Sequence, residues 1–265
     1  MDTEVLIATM NLKNSKMLLE EMNIQTDAII CNQDMSVNTS YKTRKFRNNN
    51  VKIFSFQEKG VGLNRNNALM RANAKYCIIA DDDLEFLNDY KETINKNFKK
   101  YPSADILAFN LLEDAPMRFE TKKDFKVNRF NYMRFGAARL VVKRGSILKN
   151  NIFFNLNFGG GTDHGSGEDT LFLHECLTKG LKVMAVTDTI ARLKNNRNST
   201  WFDGYHKKYF EDKGALYAAI SYKWSTILCL QFLIRHRKLF NNDLSLSLAY
   251  SYMKMGKQQY INFDK

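Results

Sequence analysis

The sequence predicts an α/β fold, a mostly parallel sheet flanked by helices, with a C-terminal helical extension. Three observations carry that prediction. Between Glu4 and Phe109, short apolar runs of strand length alternate with amphipathic helical stretches. An acidic triplet, Asp81-Asp82-Asp83, follows one of those runs directly, and in such sheets ligands bind beyond the carboxyl ends of the strands. From about Phe202 onward the pattern turns helical.

The elements follow in order. Glu4 to Thr9 is a short apolar run bounded by polar residues and reads as a buried strand. Asn14 to Met22 reads as an amphipathic helix, and Ala28 to Cys31 as a second strand ending in Asn32-Gln33. The polar stretch Asp34 to Asn50 reads, from its length, as a surface loop with some local structure. Val51 to Phe56 is a third strand. Gly60 to Asn64 is a turn, with Asn64 capping a helix that runs to about Ala74. Tyr76 to Ala80 is a fourth strand, Leu87 to Lys100 a helix, and Asp105 to Phe109 a fifth strand. In the second half, Ala137 to Val142 and Leu181 to Val186 read as strands. A glycine-dense loop, Phe158 to Gly167, precedes a helix over Glu168 to Lys179, which Gly180 closes. No Pro- or Gly-rich linker and no internal repeat interrupts the chain. The expected organisation is a catalytic domain over 1–200 with a helical extension over 201–265 packed on it.

Composition bounds the partners. Forty Lys and Arg stand against 28 Asp and Glu, a net charge of +12, which favours an anionic ligand, substrate or surface. The four cysteines, Cys31, Cys77, Cys176 and Cys229, sit in apolar segments without metal-ligand spacing. They read as buried thiols of a reducing cytoplasm. The N-terminal Met1-Asp2-Thr3-Glu4 lacks a basic leader region, and no apolar stretch reaches the length of a membrane span. No helix-turn-helix, zinc-finger or RNP-like signature supports a nucleic-acid partner.

Three motifs carry chemistry. Adjacent carboxylates repel one another and raise each other's pKa unless something relieves them. An oxygen-only set such as Asp81, Asp82 and Asp83 suits a hard cation, Mg²⁺ or Mn²⁺. A solvated acidic turn satisfies the same residues. Gly167-Glu168-Asp169 opens a helix, where the helix dipole keeps a carboxylate ionised and fit to act as a general base. Plain helix capping is the alternative reading. Gly60-Val61-Gly62-Leu63-Asn64-Arg65-Asn66 places glycines before a helix N-terminus, where phosphate can bind. Arg65 then faces either a diphosphate or solvent.

In order and spacing, these residues resemble the family 2 glycosyltransferases of the GT-A fold. Val5 to Asn11 looks like the family's first strand with its Thr-x-Asn ending, here Thr9 and Asn11. Gly60 through Arg65-Asn66, with Ala72, is similar to its glycine, Arg-Asn and alanine pattern. Tyr76 to Asp83 looks like its metal-binding strand, and Gly167 to Thr170 with Phe172 and Lys179-Gly180-Leu181 like its Glu-Asp motif. The likeness spans roughly residues 4 to 190. It implies a Rossmann-like sheet, with a nucleotide-sugar half over about 1–110 and an acceptor half over about 111–200. It implies a nucleoside-diphosphate sugar donor, often a uridine one, with Mn²⁺ or Mg²⁺ on the triplet, and transfer with inversion. Asp169 is then the base, Glu168 beside it positions the acceptor, and His164 is a further acceptor-site candidate. Thr9, Asn11, Asn32, Gln33, Arg65, Asp81 and Asp82 are the donor-side candidates. Two departures stand out. Asn32-Gln33 occupy the place of the family's base-contacting aspartate, and no histidine lies between Thr187 and Asn198. Asp81 and Asp83 satisfy Asp-x-Asp, whereas the common family register makes Asp82 the main ligand. The acceptor is expected to be a glycan or lipid-linked glycan, in the building of surface polysaccharide.

The extension adds Trp224 to Ile234, strongly apolar and followed by Arg235-His236-Arg237-Lys238. It suits either peripheral contact with an anionic membrane on the cytoplasmic face or packing on the catalytic domain or in a homodimer. Leu244 to Met255 reads as a second packed helix. The competing functions are a nucleotidyltransferase, a basic nucleic-acid-binding protein and a catalytically inactive membrane-associated protein. The turn Thr9 to Leu12 lacks the basic phosphate signature expected of the first, and the acidic triplet is unexplained by the second.

Overall fold

The computed structural model describes residues 2–113, 119–194, 204–240 and 244–263. In chain order its first half holds β1 (Thr3–Met10), α1 (Ser15–Glu21), β2 (Asp27–Gln33), β3 (Ser40–Phe46), β4 (Asn49–Phe56), α2 (Val61–Arg71), β5 (Tyr76–Asp81), β6 (Leu84–Phe86), α3 (Tyr90–Lys100) and β7 (Ile106–Leu112). The second half holds β8 (Phe125–Lys126), β9 (Leu140–Lys143), α4 (Arg144–Lys149), α5 (Glu168–Thr178), β10 (Val183–Leu193), α6 (Lys207–Ile220), α7 (Ser225–His236) and α8 (Leu246–Phe263).

The apolar runs become strands because both of their faces are buried. In β1, Val5 and Ile7 point into one apolar cluster and Leu6 into the other. β1 pairs in parallel with β2 and β5, and β2 with β4. Beyond β5, β9 inserts antiparallel between β5 and β7, and β7 pairs in parallel with β10. The strand order is β3-β4-β2-β1-β5-β9-β7-β10-β6, with β8 paired to β10. Leu18, Leu19 and Met22 at α1 and Tyr90, Ile94 and Phe98 of α3 cover one face. Ala68 and Leu69 of α2, Ile147 of α4, and Phe172 and Cys176 of α5 cover the other. This is the α/β sheet of the expected GT-A type. The C-terminal helices form their own apolar cluster around Phe210, Tyr217, Phe232 and Met253. A smaller cluster of Phe158, Leu171, Ala215 and Leu216 joins α6 to the sheet domain. The expected boundary at residues 200 and 201 lies outside the described residues.

Several element expectations are corrected. The Asp34 to Asn50 loop contains β3, an edge strand antiparallel to β4. The two strands turn at Arg47-Asn48, both at positive φ (45° and 67°), the backbone of a tight hairpin. α2 begins at Val61 with Gly60 at its cap, so Asn64 is a buried residue within the helix rather than its cap. The region after the triplet forms β6 before α3 starts at Tyr90, because Leu84 and Phe86 alternate into the core. Ala137 to Arg139 is a 3₁₀ turn, and the strand there starts at Leu140. β10 runs on to Leu193, well past Val186. All four cysteines are buried and unpaired, as expected.

Candidate active site

The parallel register brings the sequence motifs to one edge. Thr9 lies opposite Asn32, Met10 opposite Gln33, and Ala8 opposite Asp81. Thr9, Asn11, Asn32, Gln33, Asp81 and Asp82 therefore lie at or just beyond strand carboxyl ends, where sheets of this kind bind ligands, and Arg65 lies in the first turns of α2.

Most of those side chains hold the crevice's walls together. Asn32 is buried; its Oδ1 accepts from the Leu12 N–H (2.9 Å) and its Nδ2 donates to Ser55 Oγ (3.3 Å). Gln33, also buried, donates to the Gly60 carbonyl at 3.0 Å. Asn64 Nδ2 donates to the Thr9 carbonyl at 3.2 Å. Asn11 is exposed, at a positive φ of 52°. These contacts fix the loops after β1 and β2 at the start of α2.

The glycine turn at the head of α2 packs against the second glycine-rich loop. Val61 N–H donates to the Gly160 carbonyl at 2.9 Å. Gly159, at φ 105°, touches both partners at once: a Cβ there would lie 2.6 Å from Val61 Cγ1 and 2.8 Å from the Glu168 carboxyl. The first amide of α2 is spent on a neighbouring loop, and the close approach that glycine permits is between two segments of the chain.

The triplet is divided among partners. Asp82 Oδ2 accepts from Thr9 Oγ1 at 2.6 Å. Asp81 Oδ1 accepts from Arg65 NH2 at 2.7 Å. Arg65 NH1 donates to Glu168 Oε1, also at 2.7 Å. Arg65 is 6 % exposed, and its guanidinium stacks 5.4 Å from the Phe154 ring centre. It faces neither solvent nor open crevice; one buried cation ties the end of β5 to the head of α5. Despite burial, which works against its charge, the two carboxylates push its pKa up.

Glu168 also turns back on its own helix, its Oε2 accepting from the Gly167 N–H at 3.1 Å. Asp169 behaves differently. Its Oδ1 accepts from the Thr170 N–H at 2.6 Å, and its Oδ2 looks toward Gly136. Burial first, and then the negative charge of Glu168, push its pKa up to about 6, against the pull of Arg65, the Thr170 amide and Lys213. The helix-dipole expectation for this residue is thereby qualified, because burial beside a like charge outweighs the N-terminal position.

The loop before α5 is held by residues of the C-terminal extension. His164 Nδ1 pairs with Asp212 Oδ1 at 2.9 Å, and its ring stacks on Phe158 at 4.6 Å. Asp212 also accepts from Gly165 N–H (3.1 Å) and Lys208 Nζ (2.7 Å). Against the cost of burial, these bonds hold its carboxyl below the ordinary value. Lys213, the next residue of α6, is drawn toward Asp169, Asp212 and Glu168, while burial lowers its pKa. An i, i+4 Lys208–Asp212 pair is visible in the sequence, but nothing local says that it reaches a loop 45 to 48 residues earlier. His206 stands at the N-cap position of α6, without a side-chain cap hydrogen bond.

Among the described residues, no three Asp, Glu, His or Cys side chains converge as a cage for an ion. A hard divalent ion on a nucleotide commonly takes only one or two carboxylates and completes its shell with phosphate and water. The half-exposed, oxygen-only Asp82 and Asp83, at a strand's carboxyl end, have the donor chemistry for that arrangement.

Comparison with known proteins places the chain in a family. In fold, the chain is similar to the crystal structure of S. aureus TarS residues 1–349 in complex with UDP-GlcNAc, with a TM-score of 0.64 at 14% identity, covering 99% of this chain and 79% of that one. The same TarS fragment in complex with UDP aligns at 0.59 and 13% identity, covering 92% and 74%. The larger TarS structure aligns at 0.59 and 14% identity, covering 89% and 43%. No curated protein matches in sequence. The family model described as Glycosyl transferase family 2 matches residues 17–153, a little over half of the chain. The protein therefore belongs to glycosyl transferase family 2.

Proposed function

We propose that the protein transfers a sugar, with inversion, from a uridine diphosphate sugar to a hydroxyl of a glycan or lipid-linked glycan, in the assembly of surface polysaccharide. The observation that carries this reading is the contrast at the head of α5. Glu168 is tied to Arg65 and its own helix, while Asp169 is raised to about 6 and held by one backbone amide. A carboxylate poised near neutrality is suited to take a proton from an acceptor hydroxyl as that oxygen attacks the sugar. The likeness to a TarS structure holding UDP-GlcNAc supports a donor of the same class.

The roles divide by position. Asp169 takes the acceptor proton. Glu168 and Arg65 hold the helix that presents it. Thr9 orients Asp82, and Asn32, Gln33 and Asn64 fix the loops around the nucleotide. His164, braced by Asp212, faces the acceptor. Asp82 and Asp83 would hold Mn²⁺ or Mg²⁺, which, when bound, offsets the charge developing on the departing diphosphate.

The test pairs binding with turnover. Thermal-shift measurements with uridine diphosphate and its sugars, with and without Mn²⁺, should show a metal-dependent rise in the midpoint. Asp169→Asn should keep that rise and lose transfer by about a thousandfold or more. Undiminished transfer by Asp169→Asn would remove this residue as the base.

A further inference from the structure

α7 has two unlike faces. Ser225, Cys229, Phe232 and Leu233 are buried against the neighbouring helices. On the other side Ile227, Leu230 and Ile234 are 55%, 44% and 75% exposed. Their spacing, i, i+3 and i+7, aligns them in one stripe. Trp224, more than half exposed, stands three residues before Ile227 and extends the stripe at one end, and Leu239, also more than half exposed, follows the helix. Single exposed aliphatics are ordinary, but an aligned set with an aromatic at its end marks an interaction surface.

The charge around the stripe is of one sign. Lys223 precedes it, and Arg235, Arg237 and Lys238 follow. From Gly214 to Phe263 the sequence has six Lys and Arg and a single acidic residue, Asp243. An open groove of about 610 Å³ runs alongside, between α7 and α8, with Lys254 and Lys257 among its walls. Lys257 donates to Thr226 Oγ1 at 2.9 Å, and its Nζ lies 5.5 Å from the Tyr222 ring centre.

We propose that this face docks the protein on an anionic lipid surface, with α7 lying in the plane of the interface. Aliphatic side chains along one stripe, a tryptophan at its edge and cations at both ends are the features such a helix needs. No helix among the described residues is long and apolar enough to cross a membrane, so the contact is peripheral. A second copy of the chain is a poor occupant. A two-fold pairing through this stripe would set Lys223, Arg235, Arg237 and Lys238 of each copy against the same cluster of the other. The inference does not depend on the proposed chemistry, because none of these side chains belongs to the carboxylate site.

Flotation of the full chain with vesicles tests it. The protein should float with phosphatidylcholine vesicles that contain phosphatidylglycerol and stay behind with phosphatidylcholine alone, and added salt should weaken the binding. Ile227→Asp with Ile234→Asp, both exposed and therefore compatible with folding, should reduce binding about tenfold or more. Arg235→Gln and Lys238→Gln should each reduce it about fivefold. Failure to float with anionic vesicles, or undiminished binding by the double aspartate variant, would overturn the proposal. So would a dimer in sedimentation that the double variant dissolves, since that result would give the face to a second copy.

Discussion

At the scale of single residues, the site is governed by how one buried arginine divides its attention. Arg65 satisfies Asp81 and Glu168 with separate nitrogens, which leaves Asp169 next to a negative charge in a partly buried setting. The cost to folding has a definite sign. In the unfolded chain the carboxyl of Asp169 titrates near 3.8, and in the fold near 6. The fold therefore binds the proton more tightly, and the contribution to stability is fully present below about 3.8 and lost as pH rises through about 6. Asp169→Asn removes the ionisable group. Its unfolding free energy should exceed that of wild type at neutral pH by an amount on the order of 1–3 kcal/mol, and the gap should close in acid. Transfer by the wild-type protein should fall on the acid side of about pH 6 with a slope of one. Arg65→Lys tests the bridge itself. A single ammonium cannot span two carboxylates as the fork does, so the variant should lose about 2–4 kcal/mol in urea denaturation. Because Arg65 also lowers the Asp169 pKa, any loss of its charge or contact should move the acid limb to higher pH. A purely structural role would leave that limb in place.

At the scale of elements, what the sequence makes legible is what burial on both faces writes into it. β1, β2 and β5 announce themselves as apolar runs, and their parallel register alone brings Thr9, Asn32 and Asp81 to one edge. β3 is not legible that way. Ser40 to Lys45 are largely exposed on a sheet edge, so no alternation betrays them, and the hairpin turns on Arg47-Asn48 instead of a glycine pair. The acidic triplet and the Glu-Asp pair were legible as motifs, yet their partnerships were not. Whether an arginine faces a phosphate or two carboxylates depends on a helix more than one hundred residues away. The glycine loop gives a sharper element-level prediction. Gly159→Ala would place a Cβ against Val61 and Glu168 on a backbone at φ 105°, so it should cost roughly 2 kcal/mol or more and disturb the Arg65–Glu168 pair. Its neighbour Gly160 has no atom within 4 Å of such a Cβ and a φ outside the left-handed range. Gly160→Ala should leave stability within about 0.5 kcal/mol of wild type. Equal effects of the two substitutions, in thermal melts of both variants, would show that the close approach at 159 does not constrain the loop.

At the scale of the whole molecule, the C-terminal helices close over the glycine-rich loop that precedes Glu168 and Asp169. Asp212 of α6 holds both His164 and the Gly165 amide, and Tyr260 of α8 lies 5.8 Å from Phe158, ring centre to ring centre. This long-range docking left only a composition change in the sequence, because a helix's own pattern tells which face is apolar and not which loop it will meet. The docking depends on how closely α6 and α8 cross. At Gly214 an added Cβ would fall 1.9 Å from the Met253 carbonyl oxygen, and at Gly256 one would fall 1.9 Å from that of Glu211. In both places the obstacle is backbone, which cannot rotate aside as a side chain can. Gly214→Ala should therefore push the helices apart, expose amides of α8 to hydrogen exchange, and loosen the Asp212 clamp on His164. The sheet domain has separate apolar clusters on its two faces, so its central strands should keep their protection. Transfer should fall while nucleotide binding, proposed at the ends of β1, β2 and β5, persists. Gly145→Ala in α4, where a Cβ meets nothing within 4 Å, is the control and should be neutral or stabilising by about 0.5–1 kcal/mol. If Gly214→Ala retained both full α8 protection and full transfer, the close crossing would be incidental, and α6 would have to be held over the glycine loop by the His164–Asp212 contacts alone.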